Sequence, residues 1–247
     1  MLEIRKLSIR TRERELLSEL SLSLADGTMT ALIGPSGCGK TSVLKWLAGI
    51  LPDAMQESGQ LLLDGVPVTR PHPALCYQPQ SDALFPWLTI IQNAAIGLEI
   101  AGLSRDHARQ QVAPLFATFG LEGCEQMFPA QLSGGMRQRA AFLRTVVQEG
   151  RFILLDEPFS ALDAVTRLRM QDWLLQRLHE RPRGVLLVTH DLHEAATLAD
   201  RIIVMSSGPG RIIADIPVTT PRDQRDEATL APLRDRLKSL LLKETTT

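Results

Sequence analysis

Cysteine is scarce in this sequence: Cys38, Cys76 and Cys124 stand far apart, odd in number and without a CxxC pair. That usage excludes a disulfide framework and a cysteine-based zinc site, and it fits a reducing compartment. An excess of charge of one sign is missing as well. With 27 basic and 28 acidic side chains the net charge is -1, so no chain-wide field draws in nucleic acid or an anionic membrane, and partners must be recognised locally. Long apolar runs are also lacking. The uncharged stretch ALFPWLTIIQNAAIGL falls short of the roughly 20 residues a membrane-crossing helix needs, and Pro86, Gln92 and Asn93 interrupt it. The opening MLEIRKLSIR carries charges every few residues and no apolar signal-peptide core. Any membrane crossing is therefore expected to fall to another chain. No internal repeat or low-complexity segment stands out.

What is present is enough apolar residue for a sizeable core. At 247 residues and 44% hydrophobic, one large domain or two closely joined ones fit. SLSL at 21–24 alternates with period two, TMTALIG reads as a buried strand running into glycine, and TSVLKWLAGI reads as a helix ending at Gly49 and Pro52. Asp64-Gly65 between short apolar runs reads as a hairpin. Residues 81–131 turn helical: in SRDHARQQVAPLFATFG, Ser104 is placed to cap, and Val112, Leu115 and Phe119 recur at helical spacing. Beyond them strands (FILLDE, GVLLVTH, RIIVMSS) alternate with helices, which predicts an α/β fold with a mostly parallel sheet covered on both faces. The tail TLAPLRDRLKSLLLKETTT puts Leu230, Leu233, Leu237, Leu240 and Leu241 on one helical face.

Two motifs carry chemistry. GPSGCGKTS, Gly34, Pro35, Ser36, Gly37, Cys38, Gly39, Lys40, Thr41 and Ser42, follows an apolar strand and opens a helix, the context a P-loop requires. Its glycines let backbone N–H groups wrap phosphates, Lys40 neutralises them and the Thr41 hydroxyl is placed to ligate Mg²⁺, with the helix dipole adding to the attraction. FILLDE ends a second apolar strand on Asp156 and Glu157. Asp156 is placed to hold the metal and Glu157 to polarise a water against the γ-phosphate. His190, in THD at another strand's end, reads as functional on the same placement; the plainer alternative is a structural histidine. His72, His107, His179 and His193 receive no role.

LSGGMRQR at 132–139, then FILLDEPFSALD and LLVTHDLHEA, in this order, resemble the ATP-binding subunit of ABC transporters over nearly the whole chain. The resemblance implies a P-loop NTPase core of RecA-like type with an antiparallel β subdomain (residues 1–80 and 132–220), an inserted helical subdomain (81–131) and a C-terminal helical tail (221–247). It implies ATP and Mg²⁺. It makes Gln80 the glutamine that reaches the metal and attacking water, with Gln78 the weaker candidate, and Ser133, Gly134 and Gly135 a signature that contacts ATP. Ser160 to Asp163 becomes a loop between subunits, with Asp163 near nucleotide, and His190 senses the γ-phosphate. A head-to-tail homodimer is implied, each signature closing the ATP of its neighbour. Also implied are an integral membrane permease, a periplasmic or lipid-anchored solute-binding protein, no nucleic-acid partner, and a peripheral place on the cytoplasmic face of the inner membrane.

The family usually supplies an adenine-stacking aromatic near positions 10–14, but here the stretch reads RTRER. An arginine face, Arg12 for instance, can stack through its guanidinium plane; the plainer reading is a solvated strand end. Cys38 is either incidental or a thiol activated by the helix N-terminus. LFPWLT, with Phe85 and Trp87, is expected either to form a groove for a permease helix or to pack in the helical lobe. The wording LFPWLTIIQN, with SSGPGRIIADIPV and PRDQRD, is similar to the importer branch serving nitrate, taurine, other sulfonates and thiamine-precursor pyrimidines. The alternative class is a soluble ABC ATPase acting on nucleic acid or the ribosome; one cassette, no sustained heptads and no basic patch weigh against it.

Overall fold

The structure is a computed structural model describing residues 1–245. Two sheets organise it. The first is antiparallel and built from β1 (Leu2–Arg10), β2 (Glu15–Leu24), β4 (Gln56–Leu63) and β5 (Val66–Pro67), in the order β2-β1-β4-β5. Asp64 and Gly65 join its last two strands with φ of 52° and 79°, the left-handed pair that a tight hairpin turn requires. The second sheet uses β3 (Met29–Ile33), β6 (Leu75–Gln78), β7 (Phe152–Asp156), β8 (Gly184–Val188), β9 (Arg201–Met205) and β10 (Ile212–Pro217), ordered β10-β9-β3-β8-β7-β6. Five of these strands are parallel and β10 is an antiparallel edge.

β3, β7 and β8 are buried at every position, which is why their sequences are continuous apolar runs rather than alternations. Helix α1 (Lys40–Leu47) and the leucine face of the first sheet cover one side, around Trp46. The other side is covered by helices α2 (Ile90–Ile100), α3 (Arg105–Val112), α4 (Leu115–Thr118), α5 (Gly134–Val146) and α6 (Ala164–Glu180), whose apolar residues form one cluster with Ile153, Leu155, Val185 and Leu187 of the sheet. Phe119, Phe142, Phe159 and Trp173 interlock there, with Phe119 edge-on to Trp173 at 4.8 Å and Phe142 edge-on to Phe159 at 5.2 Å. Such aromatic pairs contribute roughly 0.5–1.5 kcal/mol beyond the area they bury.

The helical stretch after Ser104 divides into two. Ser104 Oγ does accept the His107 amide, but α3 ends at Val112 and α4 starts after Pro114, since proline has no N–H to carry the ladder on. Phe116, outside the predicted set, is fully buried with Val112 and Phe119. The C-terminal leucine face also finds its partner. Helix α8 (Glu227–Thr245) lays Leu230 and Leu237, both buried, toward the chain, and Leu237 sits with Leu233, Leu240 and Leu241 against Ile202, Val204 and Ile216 of β9 and β10. Helix α7 (Leu192–Leu198) completes that layer. Among the described residues no helix is long and apolar enough to cross a membrane.

Candidate functional site

Strand order fixes the site. Neighbours β3, β8, β7 and β6 point the same way, so the four loops leaving their C-terminal ends emerge along one edge, where parallel sheets bind ligands. Those loops carry GPSGCGKT, His190, Glu157 and Gln80 in turn.

The first loop wraps back on itself to start α1 at Lys40. Gly39, before that helix, has φ of 100°, and a Cβ there would lie 2.6 Å from Leu17 Cδ2, so only glycine fits. Lys40 is nearly buried and donates to the carbonyls of Gly34 and Pro35 at 2.8 and 2.9 Å. Its ammonium is thus poised over the loop, held by acceptors that an incoming phosphate can outbid. A cleft of about 380 Å³ opens beside it, lined by Ser36, Gly37, Gly39, Lys40, Thr41 and Ser42 from the loop, with Gln80 and Glu157 opposite and Arg14 and Leu16 at the side. Gly34, Pro35 and Cys38 do not line the cleft; the first two are half-buried and Cys38 is buried. The Cys38 thiol is buried, 3.8 Å from Lys40 Nζ, and burial pushes its pKa up. Burial there disfavours the thiolate that an activated cysteine needs.

Thr41 Oγ1 donates to Asp156 Oδ1 at 3.1 Å. Asp156 is 1% exposed, and burial, opposed by the Thr41 hydrogen bond, pushes its carboxyl pKa above the usual range. A buried carboxylate beside a hydroxyl, facing an open cleft, offers the hard oxygen donors that Mg²⁺ favours, and a cation there would offset the desolvation. Tyr77, a residue the sequence reading passed over, places its hydroxyl 3.5 Å from Asp156 Oδ2.

Glu157 is the meeting point. Its backbone takes φ of 48°, a left-handed conformation costing roughly 1–3 kcal/mol for a non-glycine residue, and its N–H donates to Val188 O at 2.9 Å, extending the β7–β8 ladder by one step. The turn swings the carboxylate into the cleft. Gln80 Nε2 donates to Glu157 Oε2 at 3.1 Å, and His190 Nδ1 lies 3.2 Å from the same oxygen. Gln78, two residues before Gln80, is fully buried on the sheet's helical side and reaches none of this.

The remaining predicted residues are elsewhere. Ser133 caps α5, its Oγ accepting the Met136 amide at 3.3 Å; Gly134 is exposed, and Gly135 is half-buried, a Cβ there lying 3.7 Å from the Ala161 carbonyl. Asp163 caps α6 by accepting the Thr166 amide at 3.0 Å, and that N–H holds its carboxyl pKa down. None of these four lines the cleft of the same chain.

The basic turn RTRER resolves differently from expectation. Thr11 closes it, its N–H donating to Arg14 O at 2.9 Å and its Oγ1 accepting the Arg14 amide at 3.1 Å. Arg10 pairs with Glu15 across the hairpin, and it is Arg14, not Arg12, that the turn aims at the cleft, beside Leu16 and within 3.9 Å of where a Gly37 side chain would begin. A threonine at the start of such a stretch signals a hydroxyl-closed turn, and of its arginines Arg14 is the one that lines the cleft.

A backbone cradle with a lysine, a hydroxyl and an acidic strand end on a parallel sheet defines a P-loop nucleotide hydrolase. The comparisons with known proteins then narrow the class. A family model described as "ABC transporter" matches residues 17–160. An aliphatic sulfonates import ATP-binding protein of Burkholderia cenocepacia is 41% identical over 91% of this chain and 81% of its own length, and a taurine import ATP-binding protein of Yersinia pestis is 38% identical over 86% and 82%. A solved dimeric structure of the cassette MJ0796 in a post-hydrolysis state, bound to ADP and Pi, shares the fold at a TM-score of 0.78 and 23% identity, over 90% of this chain and all of that one. The chain belongs to the ABC transporter family.

Proposed function

We propose that this chain is the ATP-binding and hydrolysing subunit of an importer, energising uptake of a small polar solute of the sulfonate or taurine type through a separate transmembrane subunit. The observation that carries the hydrolytic part is the convergence of Gln80 and His190 on one oxygen of Glu157, across a cleft from Lys40. The names of the two curated relatives support the solute class.

Residues Ser36 to Ser42 hold the nucleotide's phosphates through backbone N–H groups, and Lys40 exchanges its loop carbonyls for phosphate oxygens. Thr41 and Asp156, with Gln80 opposite, are the residues that would hold Mg²⁺; once bound, that ion supplies charge neutralisation on the phosphates. Glu157 accepts the proton of the attacking water, Gln80 orients that water, and His190 fixes the carboxylate and faces the γ-phosphate. Ser133 and Gly134, exposed at the N-terminus of α5, lie outside their own cleft, and with Gly135 they act on the nucleotide of a second copy. A two-fold pair satisfies both clefts at once, with Asp163 and its loop at the seam, and closing and reopening of that pair drives the permease. The dimeric MJ0796 cassette supports this assembly.

Permease docking falls to the loop after Gln80. Leu84 turns inward, whereas Phe85 and Trp87 are exposed, Trp87 by 70%, with ring centroids 5.5 Å apart. The loop is held rigid by Asn93, fully buried, whose amide donates to the carbonyls of Phe85, Leu88 and Thr89 and whose oxygen accepts the Phe85 amide. A rigid loop offering an outward aromatic pair suits capture of a short helix from a membrane subunit. Such a subunit would keep this chain peripheral, on the cytoplasmic face of the inner membrane. Detergent extraction and affinity capture of the tagged chain are expected to bring down an integral membrane protein; recovery of the chain alone from intact membranes would overturn the importer reading.

Arg14 takes the place of an adenine-stacking aromatic. A guanidinium stack at an exposed site contributes roughly 0.5–1 kcal/mol, so Arg14→Ala is expected to raise KM for ATP about two- to fivefold with little change in kcat. Arg12→Ala is expected to leave KM where it was. Steady-state kinetics of the two variants decide it, and the reverse pattern would restore Arg12 to the role.

A further inference from the structure

Asp156 ends a strand that is buried at every position, and its own side chain is buried with it. A carboxylate in such a place has two oxygens to satisfy, and it turns about its own bond with little resistance unless both are held. Thr41 holds one, its Oγ1 donating to Oδ1 at 3.1 Å. The other, Oδ2, is reached from β6, where the Tyr77 hydroxyl donates to it at 3.5 Å. Register brings the two together. Tyr77 stands opposite Leu154 of β7, and alternation along β7 puts Leu154 and Asp156 on one face of the sheet. That is the face α1 covers, and Tyr77 and Leu154 share its apolar cluster with Leu44 and Trp46. The ring of Tyr77 is thus set in the core while its oxygen reaches the carboxylate. Burial, with the Asp156 charge beside it, pushes the phenol pKa up, so the hydroxyl keeps its proton and donates. Glu157 and Lys45 also bear on Asp156, the first disfavouring its charge and the second favouring it. Both act on it as charges, whereas a hydrogen bond also fixes direction.

We propose that Tyr77 is a positioning residue for the metal, pinning Oδ2 of Asp156 so that Oδ1 stays turned to Thr41 and the pair can hold one Mg²⁺. The proposal rests on the reading above that Thr41 and Asp156 hold that ion. Mg²⁺ demands near-ideal octahedral geometry, so a carboxylate free to turn is a poorer ligand than one that is held. Loss of such an outer hydrogen bond typically costs about 10- to 100-fold in metal affinity. A bond of 3.5 Å is long, which puts the effect at the low end of that range. Tyr77 does not line the cleft beside the P-loop. Removing its hydroxyl therefore leaves Lys40 and the loop amides to hold phosphate as before.

Tyr77→Phe takes away one oxygen and keeps the ring in the core. The probe is Mn²⁺, which takes the same oxygen ligands as Mg²⁺, added to protein loaded with a non-hydrolysable ATP analogue and followed by the electron paramagnetic resonance of the free ion. Tyr77→Phe is expected to bind Mn²⁺ about tenfold more weakly than the parent, while the two bind the metal-free analogue equally. ATPase assays are expected to read the same loss as about tenfold more Mg²⁺ for half-maximal rate. A merely structural tyrosine would lower melting temperature and leave Mn²⁺ affinity alone, and a folded Tyr77→Phe with the parent's Mn²⁺ affinity overturns the proposal. Asp156→Asn, assayed beside it, separates two failures. If Asp156→Asn holds Mn²⁺ as the parent does, the reading of Asp156 as a metal ligand is wrong and the role of Tyr77 falls with it; if it loses Mn²⁺ while Tyr77→Phe does not, only the role of Tyr77 is wrong. Tyr77 is the sole tyrosine of the chain, so labelling with 3-fluorotyrosine gives one fluorine resonance and serves if Tyr77→Phe fails to fold. That resonance is expected to move when Mg²⁺ joins the bound analogue, and one that stays in place overturns the proposal.

Discussion

Glu157→Gln is expected to bind ATP normally, to hydrolyse it about 10² to 10⁴ times more slowly than the parent, and to accumulate a closed dimer. The substitution is nearly isosteric, and its backbone need not change, because the left-handed turn at φ of 48° is held by the Glu157 N–H to Val188 O bond and not by the side chain. What changes is proton affinity. An amide cannot accept the proton of an attacking water, and loss of a positioned general base costs a factor in that range. Lys40, Thr41 and the loop amides are untouched, so nucleotide affinity survives. The dimer persists because reopening follows hydrolysis, and a state that cannot hydrolyse has no exit. Single-turnover hydrolysis of radiolabelled ATP reads the first effect, and gel filtration with and without ATP reads the second. Turnover at the parent rate would remove Glu157 from the role of base, and another acceptor in the cleft would have to be sought.

The parts of the site legible in the sequence are those whose geometry is fixed within a few residues. GPSGCGKT can be read from the sequence because strand, glycine turn and helix are contiguous, and Asp156-Glu157 because a fully buried parallel strand has to be apolar until it ends. Of the two glutamines, Gln78 is the last residue of β6 and is fully buried, whereas Gln80 has left the strand and its amide reaches Glu157, a difference in placement that two like residues two positions apart do not display in sequence. Arg14 was less legible, since all three arginines of RTRER have the same chemistry and only the Thr11 turn distinguishes them. β10 went unpredicted because IIADIP is a half-exposed edge with Asp215 paired to Arg201 across the strands, a pattern without a continuous apolar run. The leucine face of α8 was visible as a helix but not as a contact, because what it covers, Ile202, Val204 and Ile216, comes from strands whose exposed flank only the assembled sheet defines.

Ser133→Arg is expected to abolish turnover even though Ser133 sits outside the cleft of its own chain. The serine caps α5, and losing that cap costs about 1 kcal/mol, too little to unfold a helix whose Ala140, Ala141, Phe142 and Leu143 are all buried in the main core cluster. A folded but inactive protein is therefore the expected product, and nucleotide binding to its intact P-loop, followed with a fluorescent ATP analogue, should be retained. The decisive measurement is mixing. Lys40→Ala subunits lack the phosphate-binding ammonium but keep their signature, so a mixed dimer holds one site with both an intact loop and an intact signature, and one site with neither. Equimolar random exchange makes about half the dimers mixed, so at most about a quarter of the parent's competent sites return, from two preparations that are each inactive. If each chain completed its own site no mixture would recover activity, and if Ser133→Arg alone hydrolysed ATP at the parent rate the signature would not act on nucleotide at all. Recovery with that ceiling is the outcome expected of the proposed dimer, in which Ser133, outside the cleft of its own chain, faces the cleft of the second copy.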